Sequence, residues 1–443
     1  MESDPAVPAR PVSAKRGRWG HRTFASLRVR NFRLFVGGQL LSNIGTWMQY
    51  VAAPLLVLHL TGSGFALGID TGLSFLPILL FGAWGGVVAD RFDNRRVQLI
   101  TQAAYAVLAF TLFGLTASGV VQVWMVYLLS FLSGMVTAVD MPTRQSFYLE
   151  MVGADDLTNA MSLNTATFTG ARIVGPTIAA GMLAATNGAT APVFFVNGLS
   201  YVAVILALLA IRVPELQPRQ RVARAKGQVR EGLAYIRRTP NLRMPMLVML
   251  AVFLFSFNFS VLTPLYALRT FHGDAGTFGA MLSLFGLGSL TGALVLASRS
   301  SRPNPRRLSL FALAMGGISL AAAAAPTFGI ACAVLACLGF AGTAFAITGN
   351  STLQLTSATE LRGRVMAIYS VIFLGSTPIG APLTGWVGEH LGARVAFLGG
   401  GVIALLAGFA GLAALARRES NERRRRPAAA VPAETPSDWS SGT

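Results

Sequence analysis

The sequence predicts an all-α membrane protein, with twelve transmembrane helices in two pseudo-symmetric six-helix bundles. Three observations predict it. Of 443 residues, 53% are hydrophobic and only 12% charged, about half the charge of an average soluble domain. The apolar residues gather into twelve runs, each near or above the roughly 20 residues that span a bilayer as a helix. The formal charge of +18 sits in short stretches between those runs, not along one amphipathic face. That distribution argues against a nucleic-acid partner and for a bias of Lys and Arg to one side of a lipid bilayer.

Taken in order, residues 1–33 are rich in Pro and Arg and lack an apolar core. They read as a basic cytoplasmic tail with an interfacial segment from His21 to Arg33, and not as a cleavable signal peptide. Apolar runs over 34–60, 65–89, 97–118, 122–144, 158–185 and 190–211 make a first bundle, 34–211. A polar, Arg-rich cytoplasmic linker covers 212–242. Runs over 243–268, 275–297, 307–325, 328–355, 363–388 and 394–416 make a second bundle, 243–416. Residues 417–443, with four arginines from Arg423 to Arg426, read as a disordered basic tail. With the N-terminus inside, 33 of 36 Lys and Arg are cytoplasmic; Arg269 and Arg394 lie outside and Arg172 within a span. Both termini are therefore expected in the cytoplasm.

The halves resemble each other. Pro54-Leu55 matches Pro264-Leu265 at an offset of 210, as Asn31 matches Asn241 and Arg33 matches Arg243. Ala89-Asp90-Arg91 faces Ala297-Ser298-Arg299 at 208, and Gly181 faces Gly385 at 204. Duplicated halves place a cavity at their interface, opened alternately to each side by rocking one half against the other. Cys332 and Cys337 are five apart in one run and point to different faces. They read as packing residues, with neither a disulfide nor a metal site implied.

Charge inside or beside the spans marks candidate functional residues. The second apolar run ends in Gly85-Gly86, and Asp90, Arg91, Asp93, Arg95 and Arg96 follow before the next run opens at Val97. Such a turn marks a membrane–water boundary, with Asp90 as loop charge paired to Arg91, Arg95 or Arg96. Asp140 and Arg144 share one helix face, either as a surface ion pair or as part of a gate at that end. Arg172 lies some 14 residues into the 158–185 span, where a cation costs about 2.5–3.5 kcal/mol on the lenient insertion scale. It is expected to face the cavity as a substrate-anion or coupling residue, or to bind carbonyls as helix glue. Its carboxylate partner is not obvious, because Asp70 lies near the outer end of its span and Asp140 near the inner end. Asn43, Trp47 and Tyr50 recur at i, i+4, i+7, and Phe257 mirrors Trp47 beside Asn258. Asn164, Asn350 and Tyr369 add polar points in other spans. An aromatic, weakly polar cavity holding one cation suits an amphipathic solute.

Two six-helix halves, a basic central loop and the Gly-x-x-Ala-Asp-Arg turn from Gly86 to Arg91 resemble the major facilitator superfamily over about 33–416. Several stretches are similar to its enterobactin-exporter-like group, also called transmembrane secretion effectors. They are Gly45-Thr46-Trp47-Met48-Gln49, Leu60-Thr61-Gly62-Ser63, Ala89-Asp90-Arg91-Phe92-Asp93, Asp140-Met141-Pro142-Thr143-Arg144-Gln145 and Ala171-Arg172-Ile173-Val174-Gly175-Pro176. The superfamily's turn usually carries Gly and then Arg where this chain has Asp93-Asn94. The resemblance implies that Asp90 latches a cytoplasmic gate by capping the N-terminal end of the eleventh helix, near Arg362-Gly363, when the site faces outward. Gly175-Pro176 resembles the antiporter motif of drug exporters, which implies a helix bend, tight packing and export.

The expectation is a non-enzymatic, monomeric secondary active efflux transporter of a bacterial inner membrane. Its cargo would be a siderophore, antibiotic or similar amphipathic metabolite, and protons would be the coupling ion, with no cofactor or metal. No Gly-x4-Gly-Lys-Ser/Thr loop is present, so ATP is not the direct energy source. The alternatives are an uptake carrier or lysolipid flippase on the same fold, or a non-transporting receptor or scaffold.

Overall fold

The computed structural model describes residues 25–217, 228–298 and 303–425. The tail segments 1–24 and 426–443, the linker segment 218–227 and the repeat position Arg299 lie outside the described residues. Among the described residues every regular element is helical. The first bundle holds α1 (Arg30–Thr61), α2 (Gly64–Arg91), α3 (Asn94–Ala117), α4 (Val123–Ala185) and α5 (Ala191–Leu209). The linker forms α6 (Gln228–Arg238). The second bundle holds α7 (Pro240–Phe255), α8 (Phe259–Leu265), α9 (Ala275–Ser298), α10 (Pro305–Ala324), α11 (Phe328–Thr356), α12 (Arg362–Gly375), α13 (Thr377–His390) and α14 (Ala393–Arg425). Ten segments are long and apolar enough to cross a membrane.

Local chemistry sets the turns. α1 ends at Gly62, whose φ of +62° suits a residue without a Cβ. Ser63 then caps α2, its hydroxyl accepting from the Ala66 N–H at 3.1 Å. Asp93 caps α3, accepting from the Arg96 N–H at 2.9 Å. Asp93 thus starts a helix where the superfamily turn would place glycine.

The structure departs from the expected spans in three places. The runs 122–144 and 158–185 belong to one helical stretch of 63 residues, α4, interrupted at Gly153 with φ +74° and ψ 178°. Phe147, Tyr148, Met151 and Val152 are buried beside Phe32 and Phe35, and their helical spacing carries the helix through the polar interval. The break in α4 is at Gly153, whereas Gly175-Pro176 keeps helical dihedrals. The run 243–268 divides at Ser256–Asn258 into α7 and α8, followed by a π-helical turn over Tyr266–Thr270. The run 363–388 divides between Gly375 and Thr377.

The internal repeat is visible in contacts. Asn31 Nδ2 donates to the Arg212 carbonyl at 3.0 Å, and Asn241 Oδ1 accepts from Arg418 at 2.8 Å. Each asparagine opens one half and ties down the segment that closes it. Large apolar side chains such as Ile100, Val107, Leu206, Leu406 and Phe409 are exposed, as a lipid-facing surface requires.

Two helix pairs make most of the contact between the halves. α2 runs antiparallel to α13: a Cβ at Gly68 would lie 2.5 Å from the Ala381 carbonyl, and one at Gly385 would lie 2.2 Å from that of Gly64. Only glycine permits that approach, which replaces side-chain packing by close backbone contact. α4 meets α9 through Ala180 against Gly279 and the Arg172 carbonyl against Gly286. Along α2 the contact extends from Gly64 to Leu79, which meets Gly375. Asp90 lies eleven residues beyond Leu79, roughly 16 Å farther along the axis. A Cβ at Gly363, at the corresponding end of α12, would meet nothing within 4 Å.

Candidate functional site

Arg172 stands where the halves meet. α4 carries its guanidinium between two aromatic faces, 5.2 Å from the Trp47 ring centroid and 4.8 Å from that of Phe285. Trp47 belongs to the first half and Phe285 to the second, so this one cation touches both. Its Nε is buried without a hydrogen-bond acceptor. The arrangement explains why sequence offered no carboxylate partner: aromatic quadrupoles stand in its place. Gly175 helps to create it, because a Cβ there would fall 2.6 Å from Trp47 Cβ and 2.9 Å from the Ile44 carbonyl. Gly175 is therefore a close-approach residue between α1 and α4.

Around this centre the aromatic residues form a wall. Tyr50 and Phe168 lie 5.0 and 5.6 Å from Trp47. Beyond Phe285 come Phe259 at 4.7 Å and then Phe257, 5.4 Å from Phe259. Phe257 reaches Phe253 and Phe373, and Tyr369 stacks on Phe373 at 6.0 Å. Trp47, Tyr50, Phe257 and Tyr369, chosen from sequence, therefore belong to one aromatic system that crosses the interface.

The polar residues chosen from sequence do not share one role. Asn43 is 7% exposed, and its Nδ2 and the Nε1 of Trp47 are both buried without an acceptor. Asn164 is already engaged, accepting from the Tyr148 hydroxyl at 2.6 Å. Asn350 accepts from Gln354 at 2.6 Å. Asn258 donates to the Leu254 carbonyl at 2.8 Å where α7 breaks, and packs against Gly380 of α13. Asn164 and Asn258 read as structural ties.

Asp140 and Arg144 form an ion pair, but not at a surface. Asp140 is 0% exposed and its Oδ1 accepts from Thr101 at 2.8 Å and from Gln98 and Gln102 at 3.0 Å. Arg144 also donates to Gln39 Oε1 at 3.0 Å. This buried network joins α1, α3 and α4 within the first bundle. Asp70, 6% exposed, accepts from the Ser130 hydroxyl at 2.6 Å and has no ion pair among the described residues.

The arginines of the Asp90 turn differ in their surroundings. Arg95 is spent on the C-terminus of α5, its Nε donating to the Leu208 carbonyl at 2.9 Å. Arg91 and Arg96 are exposed, and Asp90 is half-buried. Gly86 is buried, but its neighbour Gly85 makes the close approach: a Cβ there would lie 1.9 Å from the Ala138 carbonyl. At the mouth of α12, Arg364 pairs with Glu231 of the linker helix α6 at 2.5 Å.

Sequence reasoning missed the seal at the opposite end. Glu389, in the last turn of α13, accepts from the Ser63 hydroxyl at 2.6 Å and the Phe65 N–H at 2.9 Å. It thereby places a carboxylate on the N-terminus of α2. Arg269 donates to the Gly62 carbonyl beside it. Glu389 lies at the end of an apolar run, and the signal that could have found it was its position opposite Ser63, which only the antiparallel pairing supplies.

Comparison with known proteins fits this architecture. A family model described as a transmembrane secretion effector matches residues 21–437. The multidrug efflux pump Tap of Mycolicibacterium fortuitum is 28% identical over 82% of this chain and 91% of its own. The staphyloferrin A transporter of Staphylococcus aureus is 23% identical, over 60% of this chain and 66% of its own. Macrolide efflux protein A of Streptococcus pyogenes is 24% identical, over 83% and 91% respectively. Among solved structures, the nucleoside transporter NupG superposes with a TM-score of 0.68 at 14% identity, covering 87% of this chain and 99% of that one.

Proposed function

We propose, from the premise that this chain belongs to the transmembrane secretion effector family of major facilitator transporters, that it exports an amphipathic metabolite by proton antiport. The observation that carries the reading is Arg172, held between an aromatic face of each half at their interface. A substrate touching that group contacts both halves at once, so its binding energy can bias their relative rotation. Relatives named for drugs, a siderophore and macrolides support an organic amphipathic cargo and the outward direction.

The proposal includes twelve spans in two bundles, 34–211 and 243–416. The ten apolar segments become twelve when α1, 32 residues long, is added and α4 crosses twice about Gly153. Both termini and the Asp90 turn then face the cytoplasm of a bacterial inner membrane, following the Lys and Arg bias. In that orientation the halves are closed at the outer Glu389 end and the site opens inward. The transporter acts as a monomer with a small-molecule substrate, and needs no cofactor.

Asp70 is the proposed proton carrier. It is a buried carboxylate with one hydroxyl donor and no cation, so its charged form lacks the partners that burial demands. Vesicles with an imposed proton gradient test the reading: adding a transported drug releases protons in the wild type. Asp70→Asn abolishes that release and leaves drug binding within about twofold. Full gradient-driven transport by Asp70→Asn would assign the proton elsewhere.

A further inference from the structure

We infer that the cleft binds an organic carboxylate, with its oxyanion on Asn43, Trp47 and Arg172 and its apolar body against Phe285 and the aromatic wall beyond. The inference rests on the transport reading above and adds a substrate class to it. Three buried N–H groups lack an acceptor there: Asn43 Nδ2, Trp47 Nε1 and Arg172 Nε. Indole and guanidinium can donate but never accept, so what completes them must be an acceptor. Asn43 lies one turn from Trp47 on α1, and the Trp47 ring faces the guanidinium. The donors therefore stand on successive turns of α1 and on the facing part of α4, where the halves meet.

The protein's own carboxylates do not meet this need. Asp70 is committed to Ser130, and Asp140 to Arg144, Gln98, Thr101 and Gln102. Among the described residues Arg172 has no carboxylate partner, which suits a ligand with a negative charge. The guanidinium edge presents Nε and a terminal nitrogen side by side, the fork that matches the two oxygens of a carboxylate. Trp47 and Phe285 cover its faces and the Nε on its edge is itself buried, so an anion reaches that edge as the surrounding side chains part and meets a desolvated donor set. From that edge Phe285, Phe259 and Phe257 continue as ring contacts into the second half. A carboxylate joined to an aromatic or aliphatic body fits both parts.

The test uses the full chain in nanodiscs and two near-isosteric probes, the anionic 2-naphthoate and the neutral 2-naphthamide. Equilibrium dialysis, corrected with empty nanodiscs, should show the carboxylate binding at least tenfold more tightly than the amide. Arg172→Gln should reduce that ratio below twofold, Arg172→Lys should keep part of it, and Asn43→Ala should lower it severalfold. Equal affinities in the wild type, a ratio untouched by Arg172→Gln, or no saturable binding of either probe would overturn the inference. Movement of both probes across proteoliposomes separates the two readings. Discrimination in binding without any transport keeps the carboxylate site and removes the exporter; equal transport of both probes does the reverse.

Discussion

At the scale of single residues, the most consequential fact is that Arg172 is stabilised by rings and not by an anion. Its insertion costs about 2.5–3.5 kcal/mol on the lenient scale. Two cation–π contacts return about 1–4 kcal/mol together, but the buried Nε without an acceptor adds a further cost of about 1–3 kcal/mol. Arg172→Met should therefore raise thermal stability, by about 1 kcal/mol or a few degrees, while transport is lost. Thermal unfolding in nanodiscs checks it; a lowered midpoint would make Arg172 helix glue. The opposite sign is expected at Asp140. Asp140→Asn leaves the half-buried Arg144 with its carboxylate gone, which costs up to about 3–5 kcal/mol, the value for a fully buried pair, so folded yield should fall; wild-type yield would show that the network contributes little. Asp140 also marks a limit of sequence. Its pairing with Arg144 follows from the i, i+4 spacing, but its depth depends on Gln98, Thr101 and Gln102 from α3. Hydropathy does not tell which neighbouring helix a polar face will meet.

At the scale of elements, the antiparallel contact between α2 and α13 organises the Glu389 seal. Antiparallel pairing places the N-terminus of one helix beside the C-terminal turn of its partner. A carboxylate in that turn therefore sits on a helix N-terminus, and Glu389 does so with Ser63 and Phe65. The repeat in the sequence compares Asp90 with Ser298 and so points to the parallel-equivalent position. If Asp90 caps α12, as the family resemblance implies, its counterpart is instead Glu389, an acid at the far end of the partner helix. Removing the charge by Glu389→Gln should weaken the seal by about 0.3–2 kcal/mol, a shift of roughly twofold to thirtyfold towards the open outer end. Spin labels at Phe65 and Trp386, both exposed near the seal, should report a larger long-distance population. An unchanged distribution would show that the glycine contacts alone hold this end. The helix breaks at Ser256–Asn258 and Gly153 were hidden for a related reason. Both fall within apolar or helical-period sequence, and the neighbours that meet them come from far along the chain, Gly380 of α13 against Asn258 and Gln217, beyond α5, against Gly153.

At the scale of the whole molecule, the broad architecture was legible because a bilayer leaves little choice: apolar runs become helices and charge collects between them. The conformation was not legible, since it depends on small differences between two packings of the same helices. Here the halves touch from Ser63 and Glu389 inward to Leu79 and Gly375, and Gly363 at the far end of α12 is open. If Asp90 caps α12 in the alternate state, as the family resemblance implies, each end carries one carboxylate on one helix N-terminus. The two caps then act on a single equilibrium with opposite signs. Asp90→Asn should deplete the outward-open state and impair transport without affecting membrane insertion. Glu389→Gln should enrich the same state. Because the caps lie at opposite ends and share no partner, their effects on the equilibrium should add, and the double variant should return the Phe65–Trp386 distances close to wild type. Transport should stay low in the double variant, because restoring a population does not restore the stabilised end states between which the cycle runs. Should Asp90→Asn move the distances in the same direction as Glu389→Gln, or leave them unmoved with full transport, the paired-cap reading fails and Asp90 returns to being a loop charge.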